Sequence, residues 1–349
     1  MNLDARGDPV HTRTLGVTLA WRADGRLDAR GQILDLRKRG FVPIVGDLRP
    51  SGVVHHMRVH AVVDPVARRL EAIEAEQPAV AFEAAPWTRG ESCRDTIPGV
   101  RGLAPAVLDA AFAKRVGAGI GGPRGCSHVL ALVQLLGGSV GWALDRELEL
   151  HGALRPQAAG RRLFHRELVI DGFDVGRLRL LVAIQLGDLH LAPVAAPERP
   201  IERFGADRAV RVRAEVDCER SALTAVRAAE RWRTRPDATD EWRSHAAALA
   251  GIEGLALRAG VTAELLRRLG GEAALRPLLE ALLQLTPAVQ QSLAGLEALW
   301  QTERASAARE GGVGSHVDAC YMWRSGGALD LLRRPGAAAE RRPDAEPER

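Results

Sequence analysis

The 349-residue sequence predicts an α+β fold built from two diverged copies of one unit, each an antiparallel sheet followed by helices. Segments 58–76 and 211–229 align at an offset of 153 residues, at which Asp64 falls on Asp217. Each half begins with alternating apolar and polar residues and continues with apolar residues at three-to-four spacing. We therefore expect the two copies to pack about a pseudo-two-fold axis.

The alternation and the three-to-four spacing also predict the individual strands and helices. Alternation predicts half-buried strands, an Asp24–Gly25 pair predicts a hairpin turn, and three-to-four spacing predicts helices. Strands are predicted over 14–20, 53–63, 178–184 and 210–216, and helices over 104–115, 127–136, 263–269 and 275–285.

The offset drifts only slightly along the chain, as small changes in loop length would cause. Residues 34–36 fall on 187–189 at the same offset, and one residue more brings His11 onto His165. The predicted organisation is a first copy over 1–150, a second over 160–300, a C-terminal docking segment over 301–332 and a disordered tail over 333–349.

Composition argues against several functional classes. The net charge of +4 comes almost wholly from arginines, which are scattered among acidic residues and do not form a basic stripe, so nucleic-acid binding is not expected. No apolar stretch approaches the roughly 20 residues of a membrane span, and no leader is apparent, which predicts a cytoplasmic protein without a membrane partner. The four cysteines are too few and too scattered for a disulfide framework, so reduced thiols are expected.

The clearest chemical signal is Gly125–Cys126–Ser127–His128, which opens an apolar helix. A helix N-terminus favours negative charge, so a Cys126 thiol placed there can have a lowered pKa. Cys126 is then a metal ligand or a nucleophile and His128 a second ligand or a base; the alternative is a buried cysteine beside a capping Ser127. At an offset of 150 these residues fall on 276–278, which lack such groups, so the fold does not require them.

A second signal is a histidine-rich strand. His55 and Met57 share one face, while His56 and His60 share the other. One of His55 or His56 therefore faces the core, where it could complete a three-ligand set with Cys126 and His128. The alternative for each is a histidine that faces solvent.

Other candidates carry weaker signals. His11 precedes Arg13 on the first strand, but its retention as His165 favours a structural role, and Cys93 reads as a bystander. The run 117–122 satisfies a dinucleotide-binding pattern, yet it follows a helical stretch and has no βαβ context. The segment 318–324 could bring Cys320 or Tyr321 to the site as a lid, or simply anchor the C-terminus.

These motifs together resemble the DUF2889 family, bacterial proteins of unknown function. The resemblance covers about residues 10–140, and the C-terminal segment is similar to that of the longer members. It favours His55 over His56 and groups the histidine and cysteine positions as one site, but it implies no reaction. The matching residues are His11, Arg13, Asp24, Gly25, Asp35, Lys38, His55, Met57, Cys93 and Gly125–Val129.

Three functions remain open. The first is a small-molecule enzyme of lyase or hydrolase type, in which His55, Cys126 and His128 bind Zn or Fe. Arg13 would hold a substrate carboxylate and Asp35 would orient a histidine. The second drops the metal and uses Cys126 as a thiolate or acid–base partner of His128. The third is a non-catalytic ligand-binding or scaffold protein, and homo-oligomerisation is left open by the sequence.

Overall fold

The computed structural model describes residues 6–44, 47–239, 241–257, 261–303 and 317–333, which form a mixed α/β fold around a large antiparallel sheet. The first five strands are β1 (Asp8–Trp21), β2 (Leu27–Ile44), β3 (Asp47–Asp64), β4 (Arg69–Ala79) and β5 (Ala106–Val107). The next five are β6 (Arg162–Asp174), β7 (Arg179–Leu191), β8 (Phe204–Asp217), β9 (Ala222–Arg233) and β10 (Arg243–Ser244).

Across the residues that the structure describes, the ten strands are ordered β10-β9-β8-β7-β6-β1-β2-β3-β4-β5. Strands β1 to β4 form one meander, β6 to β9 form another, and β1 pairs with β6 at the centre. The predicted strands lie within β1, β3, β7 and β8, except that β7 begins one residue later, at Arg179. The sheet is therefore continuous from the first half of the chain to the second.

Seven α-helices accompany the sheet in the described part of the chain. They are α1 (Ile97–Val100), α2 (Phe112–Ile120), α3 (Ser127–His151), α4 (Val261–Leu269), α5 (Arg276–Leu282), α6 (Leu285–Glu303) and α7 (Ala328–Arg333). The long helix α3 packs on β1, β2 and β3, and α6 packs on β1, β2, β6 and β7. Helices of both halves thus cover the centre of the sheet.

Strand alternation decides which side chains meet these helices. In β1 the odd-numbered residues from Leu15 to Trp21 are buried, and Ile33 of β2 and Met57 of β3 continue the same face. Burying a side chain of this size contributes about 1.5–3 kcal/mol. Gly31 of β2 lets α3 approach closely, because an added Cβ would lie 3.0 Å from Leu132 Cδ1.

Parts of the sequence prediction are wrong. The predicted helix over 104–115 is a short strand followed by α2, because Ala104 is held extended before Pro105 and the helix begins only at Phe112. Helix α2 then continues through Gly117 and Gly119, and α3 runs well beyond residue 136.

Two further expectations concern α3 and the chain end. Contrary to the sequence-based expectation, α3 is long and apolar enough to cross a membrane. In its most apolar 18-residue stretch, however, 61% is buried inside the protein. The predicted disordered tail lies outside the described residues, apart from Arg333, which ends α7.

Candidate functional site

Three polar residues form a row across the first three strands. Arg13 of β1 lies opposite Asp35 of β2, and Asp35 lies opposite His55 of β3. All three alternate in step with the apolar core residues of their strands, so they lie on the same face of the sheet and are buried beneath the helices. Strand register alone therefore places a cation, a carboxylate and an imidazole side by side in the interior.

Asp35 is the centre of this arrangement and is fully buried. Arg13 binds it bidentately, with Nε 2.7 Å from Oδ1 and Nη2 2.9 Å from Oδ2, and His11 Nε2 lies 3.0 Å from Oδ1. Burial alone would raise the pKa of Asp35, but the Arg13 charge and the histidine contacts outweigh it. The pKa of Asp35 therefore lies well below its usual value.

Two further histidines reach the other side of the carboxylate. His55 Nδ1 lies 3.2 Å and His128 Nε2 lies 3.0 Å from Asp35 Oδ2, in contacts that lack the alignment of a directed hydrogen bond. The two rings lie 4.0 Å apart at 31°. Burial, followed by the charge of His55, lowers the pKa of His128 to about 3, so its imidazole is neutral at pH 7. We call His11, Arg13, Asp35, His55 and His128 the Asp35 cluster.

Cys126 lies on the far side of His128. It is the residue before the first turn of α3, and its Sγ lies 3.8 Å from His128 Nδ1, so the imidazole stands between the thiol and Asp35. The backbone N–H groups of His128 and Val129 lower the pKa of this thiol, as expected at a helix N-terminus. Burial outweighs them and raises the pKa of Cys126 to about 11, so the predicted lowering of this pKa is wrong.

The C-terminal segment 317–333 covers the start of α3. Tyr321 donates its backbone N–H to the Gly125 carbonyl at 2.9 Å, and its hydroxyl donates to Asp95 Oδ2 at 3.2 Å. Cys320 is near enough to both Cys93 and Cys126 to raise the pKa of each thiol further. Cys93 and Cys320 thus lie near Cys126, although Cys93 was expected to lie apart from the site.

Glu91 helps to hold this segment, together with the apolar packing of Met322, Trp323 and Leu329, and it offers a direct test. Glu91 accepts from Arg324 Nη2 at 2.5 Å and from the backbone N–H of Ala328 at 3.2 Å. Hydrogen bonds to charged groups contribute roughly 1.5–3 kcal/mol. Glu91→Gln should therefore raise alkylation of Cys126 by iodoacetamide roughly tenfold, measured by peptide mass spectrometry, if local opening of the segment limits access.

Glu264→Gln is the matched control, because Glu264 pairs only with exposed arginines of its own helix among the described residues. Equal alkylation of Cys126 in Glu91→Gln and the wild type would refute the assignment of Glu91 as a group that holds the segment closed.

The structure corrects two expectations about β1. His165 lies on the opposite face of the sheet from His11, half-exposed beside Thr18, so the pairing of His11 with His165 is wrong. His11 instead contacts Asp35. Arg13 was expected to hold a substrate carboxylate, yet the Nε–Nη2 edge of its buried guanidinium is already bound to Asp35. It positions Asp35 instead.

Of the predicted site residues, the structure brings His55, Cys126, His128, His11, Arg13 and Asp35 together and places Cys320 beside Cys126. Tyr321 lies near Asp95 and does not contact the Asp35 cluster through any hydrogen bond of the described residues. Sequence reasoning missed the Arg13–Asp35 pair. The sequence did contain a signal for this pair, because each residue is charged and occupies a position of its strand at which the alternation places buried residues.

Comparison with known proteins identifies the segment that carries this site. Residues 11–140 match the model of the family described as Protein of unknown function (DUF2889). This segment is a DUF2889 domain. It contains the whole Asp35 cluster and Cys126, whereas Cys320 comes from outside it. A search of curated proteins found no match to the chain.

Proposed function

We propose that the chain is a small-molecule enzyme in which Cys126 and His128 supply nucleophilic or acid–base chemistry, of the kind used by lyases, isomerases and acyl transferases. The observation that carries the proposal is the position of His128, with Cys126 Sγ 3.8 Å from one ring nitrogen and Asp35 Oδ2 3.0 Å from the other. A nucleophile beside a base is the recurring core of such sites, and here the carboxylate of Asp35 lies next to the base.

The protonation states define the proton transfer that this role requires. The pKa values of His128 and Cys126 describe a neutral imidazole beside a protonated thiol in the resting protein. A neutral His128 can accept the thiol proton as a bond to substrate forms, and the nearby carboxylate of Asp35 then stabilises the imidazolium. The backbone N–H groups at the start of α3 stabilise negative charge on sulfur during the same step.

Charge balance favours this metal-free chemistry. The carboxylate of Asp35 is already neutralised by Arg13, and it is the one carboxylate among the described residues that touches His11, His55 or His128. A divalent cation at this point would sit beside a buried guanidinium without a second anion. Uncompensated buried charge is costly, so the cluster suits neutral catalytic groups better.

A metal centre is the second candidate, with zinc or iron as the ion. Asp35, His55 and His128 each offer a ligand atom within 4.8 Å of the others, and the two histidine nitrogens are not aligned for hydrogen bonding to the carboxylate. Cys126 would not join this set without reorientation, because it faces the other nitrogen of His128. About one Zn or Fe per chain in untagged protein, lost in His55→Gln, would favour this candidate.

The test of the proposed function is turnover in a complex mixture. Purified wild-type protein and Cys126→Ala are incubated with a small-molecule extract, and untargeted mass spectrometry measures which compounds are consumed. We expect consumption by the wild type to fall about 10²-fold or more in Cys126→Ala and in His128→Gln. Cys218→Ala, which alters a thiol of the second half, should retain it. Equal consumption by Cys126→Ala would contradict the proposal.

We further propose that the chain arose by duplication, with the copies at about 1–150 and 160–300. In the second half Arg166, Asp188 and Arg208 form a row across β6, β7 and β8, and each follows its counterpart in the first row by 153 residues. Arg166 binds Asp188 bidentately with both distances 2.6 Å, as Arg13 binds Asp35. Arg208 replaces His55, which supports assigning the chemistry to the first copy.

A further inference from the structure

A second polar cluster lies at the other end of α3, away from Cys126. Glu147 and His151 are one helical turn apart near the end of α3, and His190 projects from β7 against them. Glu147 and His190 are buried, and the side chain of His151 is 18% exposed. The cluster therefore joins a helix of the first half to a strand of the second.

Glu147 differs from Asp35 in the side chains that balance its negative charge. Its side chain is fully buried, yet among the described residues its ion-pair partners are His151 and His190, with no arginine or lysine. Three polar atoms of the cluster, Glu147 Oε1, His151 Nε2 and His190 Nδ1, are buried without a hydrogen-bond partner in the described part of the chain. A buried carboxylate requires a cation, and none is supplied permanently by these side chains.

The spacing suits a metal ion. Glu147 Oε2 lies 2.7 Å from His190 Nε2 and 3.9 Å from His151 Nε2, and one ligand atom from each residue lies within 4.8 Å of the others. Ligands of a tetrahedral zinc ion at 2.0–2.1 Å are about 3.3 Å apart, so these distances bracket the required spacing. Two imidazoles and one carboxylate are also a ligand set that zinc prefers.

We propose that Glu147, His151 and His190 form a zinc-binding site that ties α3 to β7. The three residues provide three ligands, and a water molecule would complete a tetrahedral set. The ion supplies the positive charge that buried Glu147 lacks. This site is separate from the Asp35 cluster and does not depend on the function proposed for it.

The experiment uses full-length, untagged protein dialysed against a chelator and then titrated with Zn²⁺, with binding followed by calorimetry and stability by thermal unfolding. We expect one zinc ion per chain and a rise in Tm on binding. His151→Gln should weaken binding by at least about tenfold, since even residues that only support ligands cost that much. Because the His151 side chain is partly exposed, this variant should fold, and Glu147→Gln tests the carboxylate independently.

His165→Gln is the matched control, because this half-exposed histidine lies on the opposite face of the sheet and should leave zinc binding unchanged. His55→Gln should also retain the zinc, which separates this site from the Asp35 cluster. The proposal is overturned if the folded wild type binds no zinc, or if bound zinc is retained by His151→Gln and Glu147→Gln or is lost in His55→Gln.

Discussion

Replacing Asp35 by asparagine is expected to lower the free energy of unfolding by about 3–5 kcal/mol, because it leaves the buried Arg13 without its counter-ion. Asparagine has nearly the same size, so loss of the charge and of hydrogen-bond acceptance causes the effect, without a cavity. Urea unfolding followed by circular dichroism measures it. The same variant should also change the reactivity of Cys126, since His128 loses the carboxylate beside its Nε2.

Asp188→Asn provides the matched control, because Asp188 binds Arg166 with the same bidentate geometry. It should destabilise the protein less, since Arg166 keeps a second ion pair with Glu280, and it should leave Cys126 reactivity unchanged. An Asp35→Asn variant as stable as the wild type would show that the Arg13–Asp35 pair does not hold the first three strands in this arrangement.

Lowering the pH from about 7.5 to about 5 is expected to reduce the free energy of unfolding by about 2 kcal/mol through His128 alone. The pKa of His128 is about 3 in the folded state and 6.5 in the unfolded state, so the unfolded chain binds more protons throughout this window. Stability therefore falls as the pH falls below about 6.5. His11, whose pKa burial also lowers, acts in the same direction.

Asp35 contributes in a separate window. Its pKa is lowered by folding, so the stability it provides is present above its unfolded value, near 3.9, and is lost only in stronger acid. Urea titrations at several pH values should show a shallower decline in His128→Gln between about pH 7.5 and 5. If the two proteins lose stability in parallel over this window, His128 is not buried as a neutral imidazole.

The sequence predicted the strands because their alternation is strong and the buried face is continuous. It predicted the start of α3 because an apolar helical pattern begins directly after Cys126. The helix over 104–115 was misplaced because apolar spacing there outweighed the effect of Pro105 on the preceding residue. Local patterns thus located elements well and their ends less well.

The site was only partly predictable for a related reason. Strand parity could show that His55 or His56 faces inward, but pairing Arg13 with Asp35 and then with His55 requires the register of three strands. The approach of Cys320 to Cys126 joins positions far apart in sequence, and no local pattern predicts such a contact. The Glu147 cluster could have been suspected from a glutamate and a histidine one turn apart on α3, but its third member lies on β7.

The central claim is that His128 acts as the base for the Cys126 thiol, and the most direct test is the rate of Cys126 alkylation by iodoacetamide at about pH 8. Peptide mass spectrometry follows Cys126 in the wild type and in His128→Gln, with Cys218 in the same samples as the internal control. His128→Gln is expected to slow alkylation of Cys126 by at least about tenfold while Cys218 reacts unchanged. Alkylation of Cys126 at an equal or higher rate in the variant would contradict it.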